Sequence, residues 1–171
     1  CGDPVSYQGY DYETVQIGEQ CWFAENLRAE NYRNGDAIPS GLSSSDWSNT
    51  NSGAVAVYGE GSSICENYSP DGDACDASWS LNEYGRLYNW FAVDDARGLC
   101  PSGWHVPSYT SFTDFLGQFS WTQIDPNDWK AGYGWFNGEN GTNSSGFSAL
   151  PGGRRGRDSL ARFKGAGKYA Y

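Results

Sequence analysis

Large aromatic rings set among closely spaced glycines constrain the fold of this chain more than any other feature of its sequence. The 171 residues include 23 glycines, eight tryptophans and twelve tyrosines, but no methionine. Helical bundles require apolar residues sustained at helical spacing, whereas this composition is typical of short strands joined by turns. The length suits one domain, residues 1–171, built around a single core.

The charge and the hydropathy of the sequence argue against two kinds of interaction, with nucleic acid and across a membrane. The net charge is −10, yet the last 20 residues carry six basic side chains against one acidic side chain. An acidic body repels nucleic acid, so we expect no nucleic-acid partner and expect the basic segment to lie against the acidic body or an acidic partner. No apolar run is long enough for a membrane span, so none is expected.

Two segments carry apolar residues at helical spacing. Leu81–Val93 has one apolar face and predicts a first helix. Ser108 is a suitable N-cap for a second helix. The buried stripe of that second helix is formed by Phe112, Phe115, Leu116 and Phe119.

The remaining segments predict short strands and long loops. Residues 10–17 and 22–27 form a hairpin around the turn Gly18-Glu19, and residues 54–58 form a short strand. Residues 34–51 and 123–143 are rich in turn-forming residues and indicate surface loops. Together these patterns predict an α+β fold in which two helices flank a small, irregular, antiparallel sheet.

Five cysteines without any Cys-x-x-Cys spacing favour disulfides over a zinc site. Cys65 and Cys75 enclose a polar, turn-rich loop and predict a disulfide ring, which places the chain in an oxidising, extracellular or cell-surface compartment. A Cys21–Cys100 bridge is a second expectation, with a partner beyond the chain as its alternative. Cys1 is either a lipidated cysteine or a residue at a domain edge.

Four sequence blocks in a fixed order resemble one known family. The blocks are Gln20–Leu27, Tyr84–Trp90, Cys100–Ser108 and Gly146–Gly153. They are similar to the Fibrobacter succinogenes major paralogous domain, a bacterial surface module. The resemblance implies a loop-rich fold similar to C-type lectins and formylglycine-generating enzymes, with Trp22, Trp90 and Trp104 in the core.

The resemblance also implies further strands after the Leu-Pro-Gly-Gly block, ending in a strand that carries a cysteine. The sequence stops at Tyr171, where that segment should begin. We therefore expect that the C-terminal strands are missing, or that a neighbouring copy completes the sheet by strand addition. Residues 1–171 alone are then expected to aggregate or self-associate.

The candidates for catalysis are few. His105 is the one histidine and lies in a block that forms the core of the resembling family, so a structural role is expected. Formylglycine-generating enzymes use a reactive cysteine pair in the C-terminal half, and no cysteine follows Cys100. Asp94 and Asp95 are adjacent and point apart, unlike the facing carboxylates of glycosidases. The sequence predicts a protein that is not an enzyme.

A calcium site is the one cofactor expectation. Asp71, Asp73 and Asp76 lie at close spacing on a glycine-containing loop, and Ca²⁺ prefers such oxygen ligands. The alternative is a solvated acidic turn inside the disulfide ring.

A short motif predicts a modification. Asp158-Ser159-Leu160 matches the pattern on which Bacteroidetes-like bacteria attach O-glycans, so Ser159 is a candidate glycosylation site and the chain a candidate glycoprotein.

Tryptophans in polar contexts predict the binding surface. The candidates are Trp47, Trp121, Trp129 and Trp135. Exposed rings pack against sugars or protein side chains, although loop-rich folds also use rings to fill space. We therefore expect a non-catalytic extracellular recognition or adhesion module that binds carbohydrate or a surface protein. The alternatives are a structural subunit of a surface fibre and an enzyme related to formylglycine-generating or glycan-hydrolysing proteins.

Overall fold

Thirteen short helices and strands make up the regular structure of the described chain. A computed structural model describes residues 1–61, 64–117 and 125–170. The elements are β1 (Val5–Tyr7), β2 (Tyr10–Tyr12), β3 (Thr14–Ile17), β4 (Gln20–Phe23), α1 (Ser44–Asn49), β5 (Val55–Ala56), β6 (Cys65–Asn67), α2 (Ala77–Tyr84), β7 (Leu87–Tyr88), α3 (Trp90–Val93), α4 (Tyr109–Gly117), β8 (Gly152–Arg155) and β9 (Phe163–Ala166). Two 3₁₀ turns lie at Pro126–Asp128 and Phe136–Gly138. Among the described residues, no helix has the length and apolar character to cross a membrane.

The strands form several small sheets. Antiparallel pairs join β1 to β2, β3 to β4 and β5 to β7. A three-stranded sheet has the order β6-β9-β8, in which β9 runs parallel to β6 and antiparallel to β8. This confirms the predicted α+β, loop-rich class. The single antiparallel sheet is replaced by separate small sheets, one of which contains a parallel pair.

The predicted N-terminal hairpin is present but divided. Ile17 pairs with Gln20 across the turn Gly18-Glu19, so β3 and β4 form the expected hairpin. Tyr10–Tyr12 belongs to a separate hairpin with β1, and the second arm ends at Phe23 instead of Leu27. Two tight turns spaced a few residues apart leave room only for strands of three or four residues.

The predicted helix over Leu81–Val93 is wrong, because the chain breaks at Gly85. The Asp76 carboxylate caps α2 at its start, and Gly85 ends α2 with φ of +70°. A Cβ atom at position 85 would lie 3.0 Å from the Leu27 carbonyl oxygen. This close approach and the positive φ together require glycine at the end of α2. Strand β7 follows, and Asn89 then caps the short helix α3.

The second predicted helix is present, and the loop over residues 34–51 contains an unpredicted one. The Ser108 hydroxyl accepts a hydrogen bond from the Ser111 amide at 3.1 Å, as expected of an N-cap for α4. Phe115 is fully buried and Phe112 is exposed, whereas Phe119 lies outside the described residues. Helix α1 begins at the Ser43 cap within the predicted loop.

Two clusters of buried side chains form the core. The first packs Tyr58 and Phe163 with residues of α1, β5, α2 and β9. The second packs Tyr32, Ile38 and Leu99 against Val55. Further aromatic rings pack on each other in tilted pairs, including Trp22 with Phe115 and Phe23 with Trp104. Aromatic rings therefore replace the long apolar elements that the sequence lacks.

Two disulfides tie down loop segments. The predicted Cys65–Cys75 bond is present, with a Cα–Cα distance of 5.9 Å. Cys21 pairs with Cys1, so the expectation of a Cys21–Cys100 bridge is wrong, and Cys100 is a half-buried free thiol. The Thr14 hydroxyl accepts from the Gly2 amide and donates to the Asp3 carbonyl, which holds Cys1 beside the β3–β4 hairpin. This bridge also uses the sulfur that a lipid anchor on Cys1 would need.

Candidate ligand-binding cleft

The tryptophans predicted to form an exposed binding surface are mostly buried. Trp47 is only 5% exposed and Trp135 only 8%, so the prediction of exposed rings is wrong at both positions. The Arg155 guanidinium lies 4.6 Å from the centre of the Trp47 ring. Trp129 is half-buried and stacks on Phe115. Trp121 lies outside the described residues.

Trp90 takes the opposite position from the one predicted. It was expected in the core, yet it is 68% exposed. Trp90 is the first residue of the four-residue helix α3, in which Ala92 is fully buried against the second core cluster. Residues two positions apart on a helix point in directions about 200° apart around its axis. Because Ala92 faces the core, Trp90 therefore faces solvent.

Trp90 borders a cleft of about 270 Å³. Helix α1, the β7–α3 junction and strand β8 supply its walls. Besides Trp90, the lining residues are Trp47, Thr50, Tyr88, Asn89, Phe91, Arg155 and Arg157. The cleft combines aromatic surface with two guanidinium groups, a mixture suited to a ligand with one apolar face and one polar group.

Asn89 fixes the backbone from which Trp90 projects. Its side-chain oxygen accepts hydrogen bonds from the Ala54 and Ala92 amides, both at 2.9 Å. Its side-chain amide donates to the Ser52 carbonyl at 2.9 Å. These three hydrogen bonds show that Asn89 positions the short helix that begins at Trp90.

Arg155 forms a buried part of the cleft wall. Its side chain is 2% exposed and forms an ion pair with Glu60 at 3.1 Å. Its Nη2 donates to the Leu42 carbonyl at 2.8 Å, while its buried Nε has no hydrogen-bond partner among the described residues. Burial lowers the pKa of this guanidinium, and the nearby Glu60 carboxylate opposes that shift.

Arg157 lies at the open side of the cleft. Its Nε donates to the Ser48 carbonyl, and its Nη2 donates to the Thr50 carbonyl and to the Asn51 side chain. The guanidinium also lies 5.3 Å from the centre of the Phe91 ring. The last turn of α1 thus holds Arg157 in place, as expected for a cation near a helix C-terminus. Within the described part of the chain, Nη1 is the guanidinium nitrogen left for a ligand.

Two of the three aspartates predicted to bind calcium, Asp73 and Asp76, have separate structural roles. The Asp76 carboxylate accepts from the Ser78 and Trp79 amides as the cap of α2. The Asp73 carboxylate accepts from the Cys75 amide at 2.9 Å. In the described ranges, no three His, Cys, Asp or Glu side chains are grouped so as to hold a metal ion. The structure therefore does not bring Asp71, Asp73 and Asp76 together as a metal site.

The remaining candidate residues lie at the surface. Asp95 forms an ion pair with Arg97 at 2.8 Å, and the hydrogen bonds from Arg97 hold the Asp95 pKa well below its usual range. His105 is exposed, so its expected place in the core is wrong. Ser159 lies in an exposed turn, and its glycosylation stays a prediction.

The chain belongs to the family described as the Fibrobacter succinogenes major domain, whose model matches residues 15–171. The match covers the whole of the cleft described above. No curated protein and no solved structure matches the chain in the corresponding comparisons.

Proposed function

We propose that this domain is a non-catalytic recognition module of an exported bacterial protein and that it binds a carboxylate-bearing sugar in the Trp90 cleft. The observation that carries the proposal is the Trp90 ring, which is 68% exposed at the edge of a cleft lined by two arginines. A concave surface that combines aromatic rings with a few charged groups is the usual setting of a small-ligand site.

The chemistry of the cleft supports a sugar over a purely apolar ligand. The face of an indole ring packs against the C–H face of a pyranose, and its small polar edge tolerates water nearby. Arg157 supplies a positive charge in the same cleft, and its Nη1 can donate a charge-assisted hydrogen bond to a carboxylate. The cleft volume of about 270 Å³ accommodates a terminal sugar unit better than a long stretch of chain.

The disulfides and the family support an exported setting. Two disulfides persist only in an oxidising compartment, which fits a secreted or surface protein. Membership of the Fibrobacter succinogenes major domain family is consistent with a surface module. In this proposal the resemblance to C-type-lectin-like folds concerns the scaffold, and the ligand is inferred from the cleft alone.

Calorimetry with single sugars tests the proposal. Wild-type protein is titrated with glucuronic acid, sialic acid and glucose, beside Trp90→Ala and Arg157→Gln. We expect Trp90→Ala to weaken binding of every sugar at least tenfold, since the stacking surface is lost. Arg157→Gln should remove the preference for the acidic sugars and leave glucose binding unchanged. The matched control is Tyr109→Ala, which removes an 85% exposed ring outside the cleft.

Four outcomes would contradict the proposal. Wild-type protein that binds none of the sugars but captures a surface protein would favour protein recognition. Equal binding by wild type and Trp90→Ala would place the site elsewhere. Release of free sugar from a glycoside substrate would favour the enzyme, and concentration-dependent assembly without any sugar, seen by sedimentation, would favour the fibre subunit.

A further inference from the structure

A second, larger concavity of about 430 Å³ lies on a part of the surface that the Trp90 cleft does not include. The side chains that define its chemistry are Tyr10, Glu13, Glu25, Arg28, Glu83 and Tyr133. They come from the N-terminal hairpins, the segment that follows β4, the end of α2 and the loop before the second 3₁₀ turn. We call this concavity the Glu83 pocket.

Glu83 has a carboxylate oxygen whose hydrogen-bonding capacity is unused. Its Oε1 is buried and has no hydrogen-bond partner among the described residues. Burial raises the Glu83 pKa, and the Asp71 carboxylate adds to that rise. The nearby Tyr133 hydroxyl favours the charged carboxylate and so acts to lower the Glu83 pKa. An unpaired buried acceptor is destabilising, and a donating ligand would remove that penalty.

The cation nearest to Glu83 is already engaged by other groups. The Arg28 guanidinium donates to the Leu81 and Asn82 carbonyls, both at 2.9 Å. It also lies 4.3 Å from the centre of the Tyr10 ring. These carbonyls are at the C-terminal end of α2, where a cation is favoured by the helix dipole. Arg28 therefore lines one side of the pocket without forming an ion pair with Glu83.

The charge and the rings of the pocket favour a cation. Glu13, Glu25 and Glu83 line it against the single cation Arg28, so its formal charge is −2. The Glu25 carboxylate accepts a hydrogen bond from the Tyr10 hydroxyl. Tyr133 is 51% exposed, which leaves its ring accessible to a ligand. A ring beside a carboxylate is the arrangement in which proteins hold ammonium groups.

We propose that the Glu83 pocket binds a primary ammonium group, with Glu83 as its ion-pair partner and Tyr133 as its aromatic contact. An ammonium carries three donors, enough to satisfy the unpaired Oε1 of Glu83 and a second oxygen at the same time. Partial burial of Glu83 reduces the screening of this ion pair by water. This site is independent of the carboxylate site in the Trp90 cleft and goes beyond the proposed function.

Two ligands carry this group in the surroundings of a surface protein: the side chain of lysine and an amino sugar. Calorimetry with Nα-acetyl-lysine amide and with glucosamine distinguishes them. The matched control ligands are the Nε-acetylated form of the lysine derivative and N-acetylglucosamine. Each keeps most of the shape of its amine but lacks the positive charge. We expect at least one of the two amines to bind and its acetylated counterpart to bind tenfold more weakly or not at all.

Glu83→Gln tests the ion pair, because glutamine keeps the shape of the side chain. We expect a loss of at least tenfold in affinity, with Glu139→Gln, an exposed change elsewhere, as the control. Tyr133→Ala provides a second test at a half-exposed position, where a substitution does not disturb the core. This variant should bind the amine several-fold more weakly. Tyr133→Phe keeps the ring and should retain most of the affinity.

The pH dependence gives a readout that a merely structural role of Glu83 would not produce. The charged or titratable groups that interact with Glu83 are Asp71, Arg28, Tyr133 and Tyr84, and Glu13 and Glu25 line the same pocket. As pH falls through its raised pKa, Glu83 becomes neutral, so amine binding should weaken at a pH above the ordinary range of a glutamate. Equal binding of both amines by wild type and Glu83→Gln, or the absence of amine binding by folded wild type, would overturn the proposal.

Discussion

Tyr58 connects two segments that are far apart in the sequence. Its hydroxyl donates to the Glu66 carbonyl at 2.7 Å and accepts from the Ala166 amide at 3.3 Å. The side chain is fully buried in the first core cluster. Burial raises the pKa of Tyr58 to about 12, the hydrogen bond from Ala166 being too weak to offset the loss of water.

Tyr58→Phe is expected to change both stability and its dependence on pH. At neutral pH the variant should lose about 1–3 kcal/mol, because the Ala166 amide loses its acceptor. In wild type, Tyr58 stays protonated in the folded state and ionises in the unfolded state above a pH of about 10, so its contribution is lost as pH rises from there to about 12. Urea unfolding at pH 7 and pH 11 should show a shallower alkaline loss in the variant.

The exposed Tyr109→Phe is the control, and its alkaline loss should match wild type. An equally steep alkaline loss in Tyr58→Phe would mean that other buried tyrosines carry the effect.

The burial of two tryptophans, Trp47 and Trp90, could not be predicted from the local composition of the sequence. Polar neighbours suggested that Trp47 is exposed, and a motif suggested that Trp90 is buried, yet their places are exchanged. Local composition does not report which face of a short helix meets the core. A usable signal was present at Ala92, whose small side chain two positions after Trp90 indicates close packing on that face.

At the scale of elements, caps and glycines determine where helices begin and end. Asp76 and Asn89 start α2 and α3, and Gly85 stops α2 between them. The residues of the apolar face predicted over Leu81–Val93 are divided between α2, β7 and α3. Periodicity alone could not show this, because the reason is the Leu27 carbonyl that approaches Gly85 from a distant segment.

Replacing the cap of α2 should destabilise the domain by a predictable amount. Asp76→Ala removes the acceptor for the Ser78 and Trp79 amides and should cost about 1 kcal/mol. Asp76→Asn keeps an acceptor at the same place and should stay within a few tenths of a kcal/mol of wild type. Thermal unfolding of wild type and the two variants measures these changes in stability. Equal losses of stability in Asp76→Ala and Asp76→Asn would mean that the negative charge of Asp76 matters more than its hydrogen bonds to the helix.

At the scale of the whole molecule, the two core clusters share strand β5. Val55 packs in the second cluster, and its neighbours Ala54 and Ala56 pack in the first. The sequence predicted this strand and the α+β class but did not predict the parallel pairing of β6 with β9. Pairings between distant short strands leave no local pattern, since each strand here is only two to four residues long.

Phe163→Ala is expected to destabilise the molecule as a whole. Phe163 is fully buried at the centre of the first cluster, and its loss should cost about 3–5 kcal/mol, a large part of the 5–15 kcal/mol typical of one domain. Denaturant unfolding measures the loss, with the exposed Tyr109→Ala expected within about 0.5 kcal/mol of wild type. Sedimentation of wild type in the same series tests whether residues 1–171 self-associate.

The parallel pair of β6 and β9 has a consequence for the order of folding. Cys65 lies opposite Phe163, so the sheet joins residues almost a hundred positions apart, and β8 pairs with β9 as well. The N-terminal hairpins and the Cys65–Cys75 loop can form from local contacts alone, whereas closing so long a loop is entropically slow. During synthesis, the first core cluster stays open until residue 166 has emerged. Until then the alanines and rings that line it are exposed to any chaperone or protease that meets the growing chain.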